Sequence, residues 1–579
     1  MRINPSSYDL AHTNADCKCD LVSVNPESIA NVLRSGHLPL LKISRDSSGG
    51  AIFSARSYVR GEDFVALSHV WAEGLGNPHD NALHACELER LFRLTSSIYT
   101  DVPDLPIWID SICVPVRPKD LHQLAMAKMR EPYRLASCVL VLDAYLLGVH
   151  SSKIDSPEMF ARIMCSTWMQ RLWTLQEGRL AREVYFQFAD RAVSLREQFN
   201  NTSFRRIPSQ VYRSVQLDLI FMYEGSHFTD RLPSFNGSIT STRRAIKTRS
   251  VSVSSDEALC VACLLDMELE DIVNAPAEER MAVLWRKVKQ VPVGLAFSKA
   301  ERKLGYPGLH WAPNSFLGLT SLLGSHEDTW YGTPKWALQL TTASPGVGLL
   351  ACVPGAFLHP GLYQIDERFA PEFDDSKRLG VHGNLVLRNA QGTWYILARK
   401  DPWTDQARAS DLTRLRRAIF LEQSMTKDID SYSISPKSKS HGGFGLVHDI
   451  AGVTAVVHSV GEKGILHVEG LHHVALIRFE EGYQRAYETA FKVAQQMLAE
   501  TQQLWWRLDD RAEQRCRAKA AELFKESDGV RELYEDWVAH EELPKPAFTY
   551  FGDFIAAFGA LGDLLTIEAL PDDQEWCID

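Results

Sequence analysis

Nowhere in the 579 residues is there a run of roughly 18 uncharged apolar side chains, about the least that spans a bilayer as a helix. The nearest stretch, FIAAFGALGDLL from residue 554, is short, follows Asp553 and is interrupted by Asp563. Positive charge is also in deficit. Lys and Arg number 62 against 73 Asp and Glu, for a net charge of -11 and a pI near 6.0. A general binder of nucleic acid or anionic membrane needs the opposite balance, and the basic patch from Arg243 to Arg249 is too short to reverse it. Phosphate-loop chemistry lacks its signature as well: the glycine clusters GLGN (74–77) and GGFG (442–445) stand alone, without G-x-x-x-x-G-K-S/T.

Cysteine is present but unorganised. The 11 residues are odd in number and show no disulfide-framework spacing, which suggests a reducing compartment. Cys17 and Cys19 form a lone C-x-C with no second ligand pair at finger spacing, and Cys260 with Cys263 lies in an apolar helical run. Both pairs read as loop and core thiols, and no metal site is expected. The N-terminal stretch is polar and lacks the apolar region of a secretory signal, so a cytoplasmic location is the expectation.

A chain of this length exceeds one hydrophobic core, and composition divides it into five segments. These are an extension over 1–59, an α/β segment over 60–195, a mainly helical one over 196–330, a β-rich one over 331–480 and a helical one over 481–579. No internal repeat is evident. Within the α/β segment, FVALSHVW (64–71), LPIWIDSICV (105–114), CVLVLD (138–143) and EVYFQF (183–188) read as buried strands separated by helical patterns. One of these helices carries an apolar stripe that includes Tyr133, and Pro132 is expected to kink it or mark its last turn. Alternation of this kind predicts a parallel sheet covered by helices, with ligands beyond the carboxyl ends of the strands. The loops after Trp71, Val114 and Asp143 are the places to expect a pocket. The Ser/Thr/Arg-rich stretch 236–257 reads as an exposed loop.

Four pieces then stand in order: ALSHVW, IWIDSICV, a helix running into VLVLD, and RLWTLQE. Their order and wording resemble the heterokaryon incompatibility (HET) domain of filamentous fungi. The matching residues are Ser68, His69 and Trp71; Trp108, Ile109, Asp110 and Cys113; and Arg171, Trp173, Thr174, Gln176 and Glu177. GLHWAPNSFLGL (308–319) looks like a phrase often found downstream of that domain. Ala72 stands where the family often has Gly, and CVPV replaces its usual Cys-Ile-(Asp/Asn)-Gln.

HET domains are remotely similar to Toll/interleukin-1 receptor (TIR) domains, which implies a flavodoxin-like parallel sheet. Some TIR domains hydrolyse NAD+ with a glutamate four residues after a Trp, the spacing of Trp173 and Glu177. The resemblance implies a protein of nonself recognition that triggers regulated cell death, acts through self-association of HET domains and answers to an activating protein partner. NAD+ is the implied substrate and no bound cofactor is implied. Glu177 is then the catalytic carboxylate, with Ser68, His69, Trp71, Asp110, Arg171 and Trp173 at the substrate.

Helical spacing puts Gln170, Trp173 and Glu177 on one face and Trp168, Leu172, Leu175 and Arg179 on another, so Glu177 need not be buried by the core that holds its helix. Plainer readings stand beside this: Glu177 pairs with Arg171, Arg179 or Arg182 on the helix surface, and Asp110 anchors backbone. A second enzyme reading makes Cys113 with His69 as base a hydrolase dyad. The noncatalytic alternative makes the same domain a signalling adaptor with Glu177 and its neighbouring arginines as an interface.

Overall fold

In the computed structural model the chain divides into two compact units, 1–287 with 314–319, and 288–313 with 320–579. The structure describes residues 10–45, 51–99, 105–201, 239–246, 248–292, 295, 303–317, 339–342, 348–352, 355–359, 385–399, 418–422, 446–461, 464–479, 565–571 and 573–579. The polar insert at 428–443 lies outside these residues. Of the segment expected to be helical over 481–579, residues 481–564 and 572 lie outside them too, and the described remainder is not helical but forms two strands, Leu565–Ala569 and Glu575–Ile578. Among the described residues no helix is long and apolar enough to cross a membrane.

The first unit is mixed α/β. Its chain runs β1 (Leu21–Ser23), α1 (Pro26–Arg34), β2 (Pro39–Arg45), β3 (Ala51–Ser57), β4 (Val65–His69), β5 (Ala82–His84), α2 (Ala85–Ser96), β6 (Ile107–Trp108) and α3 (Asp110–Cys113). It continues α4 (Lys119–Ala127), α5 (Arg130–Leu135), β7 (Cys138–Leu142), α6 (Ala144–Leu147), α7 (Ser156–Cys165), α8 (Thr167–Gln170), α9 (Leu172–Leu180), β8 (Val184–Gln187), β9 (Ala192–Ser194) and α10 (Leu195–Asn201). Seven strands form one sheet in the order β3-β2-β6-β4-β7-β8-β9. The middle four are parallel, and β2–β3 and β9 flank them antiparallel. Every residue of β4 and β7 is buried, which is why β7, and β4 as far as Leu67, read as continuous apolar runs and not as alternation.

From β4 the chain moves first to β6 on one side and then to β7 on the other, so the sheet reverses direction of growth at β4. The crevice opened there, beyond the carboxyl ends of β4 and β6, is where open parallel sheets hold ligands. Two of the expected elements are rebuilt around it. The predicted strand 105–114 pairs only at Ile107–Trp108, because at Asp110 the backbone turns into α3. The helix expected over Trp168–Ala181 is broken: Arg171 is extended, and Ser250 exchanges backbone bonds across the gap, donating to the Gln170 carbonyl at 2.7 Å and accepting from Leu172 N–H at 2.9 Å.

The helix around Tyr133 is likewise two pieces, α4 and α5. Pro132 has no N–H for the Lys128 carbonyl, and α4 has ended by Ala127. The stretch 236–257 is not a plain exposed loop. It contains the helix Ile239–Ile246, with Thr242 and Arg243 buried, and leads to the buried Arg249.

The second unit is β-rich. Among its described residues eleven strands form one sheet built on the long hairpin of Leu446–Val460 and Leu466–Phe479.

Candidate active site

Ser68 and His69 are the last two residues of β4, where the strand carries them to the rim of the sheet. Asp110 follows β6 by two residues, at the start of α3. Glu177 comes from the middle of α9, which lies over β4. The fold therefore brings together residues separated by up to 109 positions.

Two linked polar pairs result. Ser68 Oγ donates to Glu177 Oε2 and accepts from Trp168 Nε1 at 2.6 Å. Tyr133 also hydrogen-bonds the Glu177 carboxyl. His69 Nε2 lies 2.8 Å from Asp110 Oδ1, and Trp71 Nε1 donates to Asp110 Oδ2 at 2.6 Å. Ser111 adds its backbone N–H to Asp110 Oδ1 at 2.7 Å. Gly76 lets the chain pass so close to Trp71 that a Cβ there would stand 2.6 Å from the indole.

Burial acts differently on the two carboxyls. Glu177 is 6% exposed, and desolvation, reinforced by the negative charge of Asp110, pushes its pKa up to about 7. For Asp110 burial works the same way, but the charge of His69 and the hydrogen bonds from His69, Trp71 and Ser111 outweigh it, leaving the pKa below the ordinary value. Burial alone would lower the His69 pKa. The neighbouring Asp110 more than offsets this, and the imidazole is raised instead. Carboxyls driven apart in this way can hold opposite protonation states at one pH.

The two pairs face a cleft of about 830 Å³, lined by His69, Trp71, Asp110, Arg171, Trp173 and Glu177 among others. That volume is within the roughly 300–1,000 Å³ of small-molecule sites. All the expected site residues except Ser68 line it, and Ser68, wholly buried, sits behind Glu177. Arg117, Lys119, Arg171 and Arg280 bring cations to its walls, and Asp256, which accepts from Trp173 Nε1 at 3.3 Å, adds a third carboxyl. The loops after Trp71 and Val114 contribute as expected, whereas the one after Asp143 contributes nothing. Asp143 is wholly buried, and its carboxylate accepts from the backbone N–H groups of Tyr145, Leu146 and Trp168 at 3.0, 3.3 and 2.9 Å.

Several expectations are corrected here. Glu177 is buried by the core that holds its helix, because α9 is covered on one side by β4 and on the other by the helix Asp256–Leu264 and by α5. Its hydrogen bonds go to Ser68 and Tyr133, not to the arginines of its own helix. Gln170 and Trp173 do not share a helix, since α8 ends before Arg171. No Cys113–His69 dyad forms: Cys113 is 1% exposed with its thiol pushed up to about 12 by burial, and His69 Nε2 faces Asp110 and Ser111.

Three contributors escape a reading of the sequence. Tyr133 looks like one more apolar helix position, Trp168 like core, and Arg249 like part of a solvated basic patch. Yet Arg249 donates to the Arg171 carbonyl at 2.7 Å and to Thr174 Oγ1 at 3.1 Å, with its guanidinium 5.8 Å from the centre of the Trp168 ring. A buried polar tip needs a partner, and only the fold supplies it.

Comparisons of the chain with protein-family models, with curated proteins and with solved structures found no match. The reading of function rests on the motifs and on the geometry of this cleft.

Proposed function

We propose that this chain is a HET-domain protein of TIR-like type that hydrolyses NAD+ at the nicotinamide–ribose bond, the event by which it would trigger regulated cell death in nonself recognition. The observation that carries the reading is Glu177, a carboxyl held by Ser68 and Tyr133 at the floor of a cleft at the sheet's switch point. The parallel strand order β6-β4-β7-β8, in which the first parallel strand lies between the second and third, supports the flavodoxin-like assignment. Carboxyls at the floor and arginines and Lys119 on the walls suit a dinucleotide, whose ribose bears the reacting centre and whose diphosphate needs cations.

In the reaction the C1–N bond of the nicotinamide riboside breaks and its electron pair stays on the pyridine nitrogen. The leaving group is already cationic, so no acid has to protonate it. Positive charge develops on the ribose, where ionised Glu177 stabilises it; water then adds to C1 and its proton passes to the carboxylate. The approach of a cationic pyridinium itself favours the ionised form of Glu177. Asp110, kept ionised by His69 and Trp71, adds to the same field. Trp71 and Trp173 supply aromatic walls for the bases.

The adaptor alternative would have to use the exposed Arg182 and the half-buried Arg171, since Glu177 and Arg179 are each only 6% exposed. The test is NAD+ consumption with nicotinamide release by the full chain beside Glu177→Gln. Loss of at least about a hundredfold in the variant is expected, the scale of one preorganised electrostatic contact. Absence of turnover by folded, self-associated wild-type protein would sink the enzymatic reading.

A further inference from the structure

We propose that His12, Cys17, Cys19 and Cys86 bind one Zn²⁺ ion in a structural site, separate from the cleft and independent of the reading of its chemistry. One ligand atom from each residue lies within 4.8 Å of all the others. His12 Nδ1 is 3.6 Å from both Cys19 Sγ and Cys86 Sγ. A tetrahedral zinc with Zn–S near 2.3 Å and Zn–N near 2.0–2.1 Å spaces nitrogen and sulfur by about 3.6 Å along its edge. The three thiols are free and not paired as disulfides. Three soft sulfurs and one imidazole are a donor set that selects zinc over the hard cations.

Two of the three sulfurs already accept backbone N–H groups. Cys19 Sγ accepts the backbone N–H of Cys86, and Cys86 Sγ accepts that of Thr13, each at 3.4 Å. The His12 ring is stacked on His84 with centroids 3.5 Å apart, and His84 Nδ1 lies 3.2 Å from the Cys19 carbonyl. These contacts fix the orientation of one ligand and the backbone of another.

Sequence reading misses the site because the C-x-C has no partner pair nearby. The completing thiol is 67 residues away, at the start of α2, and is delivered by the pairing of β1 with β5. The Ala85 N–H bond to the Asp20 carbonyl, 3.1 Å, closes the same joint. Metal there would fasten the segment before β1 to α2. That segment also reaches the loop behind Trp71, where Ala11 N–H donates to the Gly74 carbonyl at 3.1 Å.

The test is metal analysis of the full chain purified under reductant without chelator. About one zinc per chain is expected, the stoichiometry of a single four-ligand site. Cys19→Ser and Cys86→Ser should each lower zinc content at least about tenfold, while the exposed Cys165→Ser keeps it. Because these variants can fail to fold, the wild-type protein is also stripped and given Co²⁺, which should produce thiolate-to-cobalt charge-transfer bands. Metal-free wild type with no such bands, zinc retained in both cysteine variants, or a disulfide among the three thiols in the purified protein would overturn the site.

Discussion

At Glu177 the proposed chemistry and the stability of the protein draw on the same burial. Its pKa is raised from the ordinary 4.5 to about 7, so the folded protein holds this proton more tightly than the unfolded chain does. The resulting stabilisation is fully present below pH 4.5 and is lost as pH rises through 7. Glu177→Gln cannot ionise. Urea unfolding should find it more stable than wild type above pH 8, by up to roughly 3 kcal/mol, with the difference vanishing toward pH 4. The proposed hydrolysis has the opposite sign: its turnover, carried by the ionised form, should climb as pH rises through about 7. Ser68→Ala removes both the donor to Glu177 and the acceptor of Trp168 Nε1. It should cost about 1–3 kcal/mol and move the acidic limb of the pH–rate profile upward, because the lost hydrogen bond favours the carboxylate.

The element that decides the site is the joint between α8 and α9. Arg171 leaves helical geometry there, and its carbonyl is taken by Arg249 and by Thr174 Oγ1, at 2.7 and 2.9 Å. Ser250 bonds both sides of the gap, so the chain after 246 acts as a short splint. Arg249→Ala is expected to destabilise the protein by roughly 2–3 kcal/mol and to speed hydrogen exchange in the first turn of α9. Arg249→Lys should recover less than half of the loss, since an ammonium cannot present the guanidinium's fork. An undisturbed urea midpoint in both variants would show that the splint is not what holds the joint.

For the molecule as a whole, the α/β layer does not end where its last strand does. The helix Asp256–Leu264 covers α9, and Phe316 stacks on Trp285 with centroids 4.8 Å apart. Glu257, 4% exposed, accepts from Ser315 Oγ at 2.8 Å and from the backbone of Phe316. A fragment of residues 50–200 would lack that cover and the strand β2, and should elute as an aggregate and bind a hydrophobic dye. A fragment of residues 1–319 retains the whole first unit and should elute as a folded species. Much of this architecture was legible. The runs at 65–69, 138–142 and 184–187 are strands, buried except for the half-buried Tyr185, because a parallel strand covered on both faces must be largely apolar. The motifs marked Asp110 and Glu177, which line the cleft, and Ser68, which holds Glu177 from behind, since each is a polar group standing at the edge of such a run or in an apolar helix. What those groups do to one another was not legible. The raised pKa of Glu177, the partners Tyr133 and Arg249, and the gathering of His12 with Cys17, Cys19 and Cys86 depend on contacts between distant segments. Periodicity and composition act locally along the chain and determine its elements, whereas desolvation, charge coupling and ligand geometry arise only when tertiary packing sets those elements against one another.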